Sequence, residues 1–191
     1  MPEESLLKRS PRARRWRVAG WSLVALLLLL PAIAMQFTSE VNWTMGDFVF
    51  AGVLLGGTGL VMELVFRLSP DRCYRAGVVV AALTALLLVW INGAVGIIGN
   101  ADNPANLLYF AVLVAAVAGS IAAGFRAGGM ARAMLVAAAL QAVIMVAAPL
   151  FSWGPPGEAA VRTFCLNGVF VVFWMIAWVL FRNVNTGRAS A

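Results

Sequence analysis

Histidine is missing altogether from the 191 residues, lysine occurs once (Lys8) and cysteine twice (Cys73 and Cys165). Without histidine, bis-histidine haem ligation, most zinc and copper sites and the commonest general base are excluded. No H-E-x-x-H, G-x-S-x-G or phosphate-cradling P-loop occurs, and no serine, threonine or cysteine stands near a base, so no nucleophile–base dyad can be assembled. Charge is scarce as well, at 12% of residues against 62% hydrophobic, where soluble domains run near a quarter and a half. Together these absences disfavour an enzyme and imply no catalytic residue, cofactor or metal site.

What the chain has instead is apolar sequence in six long blocks. A helix needs about 20 apolar residues to cross the hydrocarbon core, and six such spans consume roughly two-thirds of the chain. No room is left for a soluble catalytic domain. The expected fold is an all-α polytopic membrane bundle with spans at 18–37, 48–68, 76–99, 105–125, 130–151 and 161–181. A basic tail (1–17) precedes this six-helix domain (18–181), and a short basic tail (182–191) follows it. Cys73 and Cys165 are expected near opposite faces of the bilayer, too far apart for a disulfide or a shared metal.

The net charge of +6 is placed as a topology signal, not as a nucleic-acid patch. Lys8, Arg9, Arg12, Arg14, Arg15 and Arg17 precede the first span, and of the fourteen basic residues only Arg162 falls in a predicted outer loop. Both termini are therefore expected in the cytoplasm, with the first seventeen residues a disordered tail drawn to anionic headgroups. Trp16, Trp43, Trp153 and Tyr109 fall at span ends, as interface aromatics do. The preponderance of arginine, alanine and valine resembles the codon bias of a GC-rich bacterial genome. An alternative reading of the first span stays open: LLLLLPAIA ending at Ala34 has the form of a signal-peptide apolar region with its cleavage site, and Arg14-Arg15 weakly that of a twin-arginine signal. A three-plus-three inverted repeat is rejected, because Asn92-Gly93 and Asn167-Gly168 sit at different offsets along their helices.

Polar chemistry concentrates in WINGAVGIIGNADNPANLLYF, Trp90 to Phe110, where Asn103 and Pro104 read as the N-cap and first residue of the fourth span. Asn92, Gln141 and Asn167 are in-span amides expected to face the bundle, either as interhelical glue or as the floor of an outward-facing pocket walled by Asp47, Asp102 and Trp90. Antiparallel helices place Asn92 and Asn167 at similar depth, as partners. Asp47 and Asp102 stand at span starts, where carboxylates cap helices; attraction of a cation is the sharper alternative. Glu63 shares a helix face with Gly52, Gly56 and Gly59, which predicts a close helix contact there. An ion pair of Glu63 with Arg67, one turn on, is preferred over a role as proton or cation carrier.

The segments EVNWTMGDFVFAGVLLGGTGLVMEL, VWINGAVGIIGNADNPANLLYF and FRAGGMARAM resemble an uncharacterised family of small multi-span bacterial inner-membrane proteins, through NWT-x-GDF-x-FAG and DNPANLLYF. The resemblance implies a bacterial source and one compact domain, and carries no activity and no catalytic residue. The expected function is that of a non-enzymatic partner or accessory subunit in contact with lipid, a membrane-protein partner or further copies of itself. A small transporter or channel using Glu63 or the outer polar layer is the alternative, and a membrane enzyme comes last.

Overall fold

The computed structural model describes residues 11–154 and 157–184. Its secondary structure is helical: α1 (Pro11–Ala34), α2 (Met45–Leu68), α3 (Arg72–Ala94), α4 (Leu108–Ala122, entered through a 3-10 turn over Pro104–Leu107), α5 (Ala127–Leu150) and α6 (Glu158–Arg182). Among the described residues six helical segments are long and apolar enough to cross a membrane. The fold is therefore all-α and that of a multi-pass membrane protein. Large apolar side chains stay exposed along the helices, among them Leu30, Leu60, Val114, Val143 and Val172, as lipid contact requires.

Helix boundaries depart from expectation in two places. α1 begins at Pro11, so residues 11–17 are helix and not disordered tail; the rest of that tail, and residues 185–191 of the other, lie outside the described residues. α3 stops at Ala94 instead of running to Gly99, because Gly96 and Gly99 take positive φ (70° and 71°). At Gly96 any side chain would strike the backbone of Asn100 and Ala101. Asn103 caps the next turn as expected, its side chain accepting from the Ala105 N–H at 2.9 Å, with Pro104 first in the turn.

The contacts group the chain into two compact units, Met1–Leu64 and Val65–Ala191. In the first, Glu63 of α2 holds α1: its carboxylate pairs with Arg17 at 2.6 Å and accepts from the Trp21 indole N–H at 3.0 Å. In the second, α5 packs against α4 and α6, and α6 against α3, so the spatial order is α4–α5–α6–α3. Its buried aromatics are Tyr109, Phe170, Trp174 and Phe181. Arg72, Arg75, Arg126 and Arg182 mark one end of this row, and the asparagines of the α3–α4 connection mark the other.

The glycines that matter for close packing are not those of α2. No described atom lies within 4 Å of a Cβ built on Gly52 or Gly56, and Gly59 makes only ordinary contact, 3.9 Å to Trp21 and Val24. Within the first unit, the described residues bring α1 to that stripe only at Gly59, where the bulky Trp21 and Val24 face it. Close approach occurs instead where Gly119 of α4 meets Ala133 of α5 and where Gly77 of α3 lies against the Phe181 ring, with an added Cβ at 2.7 Å and 2.9 Å respectively. Gly119→Leu should accordingly destabilise the protein by about 1–3 kcal/mol or more through overpacking, while Gly56→Ala stays within about 0.5 kcal/mol. Unfolding in detergent measures both; equal losses at the two positions would refute the assignment.

Candidate functional site

The polar centre of the second unit grows from a topological difficulty. α3 and α4 follow one another in sequence but pack mainly on α6 and α5 and only slightly on each other, so residues 95–103 link them across the end of the bundle. Non-helical backbone there has no ladder to satisfy its N–H and C=O groups, and each one left buried and unpaired is costly. Asn106 supplies the partners. Its Oδ1 accepts from the backbone N–H of Ile97 (3.2 Å) and Ile98 (2.9 Å), and its Nδ2 donates to the carbonyls of Ile98 (3.3 Å) and Asn100 (2.7 Å). Both donors and both acceptor positions of the amide are thereby used. With their backbone held, Ile97 and Ile98 bury completely, each at 0% exposure, and plug the end of the bundle.

Further bonds tie the plug to its surroundings. Thr163 Oγ1 of α6 donates to the Ile97 carbonyl (3.0 Å), Arg162 to that of Gly99 (3.1 Å), and Asn103 Nδ2 to the carbonyl of Trp153 (2.6 Å) in the α5–α6 connection. Asn92, in the last turn of α3, donates to the Asn106 carbonyl at 3.2 Å, while its Oδ1 is buried without a hydrogen bond.

One turn of α6 deeper lies the second polar group. Asn167 Oδ1 accepts from Gln141 Nε2 of α5 (2.8 Å) and from the Tyr109 hydroxyl of α4 (3.1 Å), and Asn167 Nδ2 donates to the Thr163 carbonyl (2.8 Å). Gln141 and Asn167 are fully buried and Tyr109 nearly so. One carbonyl oxygen thus joins three helices. Gln141 Oε1 remains buried without a hydrogen bond.

Measured against the sequence, the structure brings Gln141 and Asn167 together and leaves Asn92 bonded to Asn106 rather than to Asn167. Tyr109, expected at the membrane interface, is an interior residue. Asp102 is exposed in the turn before Asn103 and does not cap the helix; Asn103 does. Asp47 does cap. Its carboxylate accepts from the Thr44 N–H and hydroxyl, both at 2.7 Å, and the Asp47 N–H donates back to Thr44 Oγ1 at 3.3 Å, a reciprocal capping arrangement at the start of α2. Glu63 pairs with Arg17 of α1, a partner the i,i+4 rule cannot point to. Sequence reasoning assigned no role to Asn106 or Thr163; the signal that was present is the run of helix-breaking glycines around two isoleucines, which requires a buried loop and hence a side chain to satisfy it.

Among the described residues no three histidine, cysteine, aspartate or glutamate side chains come together as a metal site, and Cys73 and Cys165 are free thiols. No protein-family model, curated protein or solved structure matches the chain. The arrangement is one that fixes helices and their connections, through Arg162 at the Gly99 carbonyl and otherwise through neutral donors and acceptors.

Asn106→Ala leaves the buried N–H groups of Ile97 and Ile98 and the Ile98 carbonyl without partners, while the Asn100 carbonyl keeps the Asn103 N–H, at about 1–3 kcal/mol for each stranded group. It should therefore destabilise the protein by several kcal/mol, whereas Asn167→Ala, at about 0.6 kcal/mol per interhelical bond, should cost far less. Hydrogen exchange at Ile97 and Ile98 separates the two, rising steeply in the first variant only; unchanged protection there in Asn106→Ala would contradict the plug.

Proposed function

We propose that this chain is a bacterial inner-membrane protein with both termini in the cytoplasm, working without catalysis as a partner or accessory subunit of a larger membrane assembly. The observation that carries the reading is the closure of the polar interior: the buried amides of the second unit bond to one another and to backbone, beneath a plug of two isoleucines. Carrier chemistry would need an accessible titratable group on such a path. Glu63 is instead engaged by Arg17 and Trp21 within the first unit. The arginine distribution supports the orientation, and the resemblance noted above supports the bacterial inner membrane.

Orientation is tested with single cysteines in a Cys73→Ser, Cys165→Ser background. Gly157→Cys should react with an impermeant thiol reagent on intact cells and Gly129→Cys should not; the reverse result overturns the topology. The choice between subunit and transporter falls on Glu63→Gln, which keeps the shape and one acceptor oxygen but removes the charge, and should cost about 0–1 kcal/mol. Cells carrying the variant should behave as wild type when compared with a deletion strain. Loss of function with normal accumulation of the protein would favour transport and sink the subunit reading.

A further inference from the structure

At the asparagine-rich end of the second unit, a cavity of about 330 Å³ opens between the end of α5 and the start of α6. Its floor is set by burial: Ile98 of the plug, Ala148 and Thr163 are all 5% exposed or less. Its mouth lies at exposed Ser152 and Gly157. Pro149 and Ala160 complete walls that are small and apolar, and no described lining residue carries a charge. A pocket of this size, largely apolar with a few hydroxyls, has the make-up of a small-molecule site. An ion entering it would lose hydration with no opposite charge to compensate, so the site selects against charged ligands.

Ser152 adds a second, independent observation. α5 ends in a left-handed turn in which the Trp153 N–H returns to the Ala148 carbonyl at 3.0 Å, and the residue at the turn, Ser152, has φ 52°. Glycine normally occupies that position because a side chain there is strained. The same left-handed conformation closes α4 at Phe125 (φ 57°), so it belongs to the helix end; what Ser152 adds is a hydroxyl-bearing residue in the cavity lining.

We infer that the cavity between α5 and α6 binds a small uncharged amphiphile, a molecule with a short apolar body and one hydroxyl or carbonyl, recognised by Ser152 and Thr163. Thr163 already donates to the Ile97 carbonyl and keeps acceptor capacity for a ligand hydroxyl. The inference is independent of the subunit reading, since it concerns only what the cavity takes in.

The test uses a diazirine-bearing octanol on the full chain in lipid nanodiscs, with peptide mass spectrometry to locate the adducts. Labelling should concentrate on residues 148–163, saturate, and be competed by octanol but not by octanoate. Ala160→Leu, which fills the cavity, should abolish the saturable labelling. Ser152→Gly relieves strain and removes the hydroxyl, so it should unfold no earlier than wild type while its half-saturation rises several-fold. Adducts that rise linearly with concentration, or that persist unchanged in Ala160→Leu, would overturn the site. Equal competition by octanoate would overturn its selectivity for neutral ligands.

Discussion

Backbone that leaves a helix inside a membrane protein must find every hydrogen-bond partner within the protein, because hydrocarbon offers none. In this chain that constraint bears hardest on the connection between α3 and α4, whose helices pack mainly on other helices and only slightly on each other. A polar, solvated crossing would leave the end of the bundle open. The solution adopted is apolar side chains turned inward and one amide, Asn106, saturating the backbone that carries them. The positive φ of Gly96 and Gly99 follows from the reversal this demands. Thr163 on α6 then meets the Ile97 carbonyl, and Ile98 becomes a wall of the cavity between α5 and α6.

Deeper in the unit, the same principle is met with neutral groups in place of ions. A charged pair at that depth would carry several kcal/mol of desolvation per ion, whereas an amide–amide contact gains only about 0.6 kcal/mol and risks correspondingly little. Its contribution is geometric. Because Asn167 Oδ1 takes both the Gln141 and the Tyr109 donor, α4, α5 and α6 can satisfy it in one rotational setting only. The close Gly119–Ala133 contact fixes the spacing of α4 and α5 that this setting needs.

Much of this architecture was legible in the chain because its causes are local. Span length and the Asn103–Pro104 cap each act within a few residues. The Thr44–Asp47 cap follows the same logic, as a carboxylate near a helix start has few better uses. What was not legible depends on which helix lies beside which. The Gly52–Gly56–Gly59 stripe has the spacing of a contact face but within its unit meets α1 only at Gly59, while Gly119 and Gly77, in stripes completed by alanine, make the close approaches. Tyr109 near a span end has the address of an interface residue; only the position of α6 makes it an interior donor. Asn106 was one of several asparagines in a polar run, and nothing in its neighbours separates the one that saturates a loop from those that end in a turn.

The disposition of the acids bears on what such a bundle can do. Asp47 is occupied at the start of α2, Asp71 accepts from the Tyr74 N–H at the start of α3, and Glu63 is held by Arg17 and Trp21. Each meets a donor at a helix end or on a neighbouring helix of its own unit, and Asp102 is exposed. The Asn167 cluster contains amides and one tyrosine, groups that keep their protonation state across physiological pH. A network of that composition cannot be driven by proton binding.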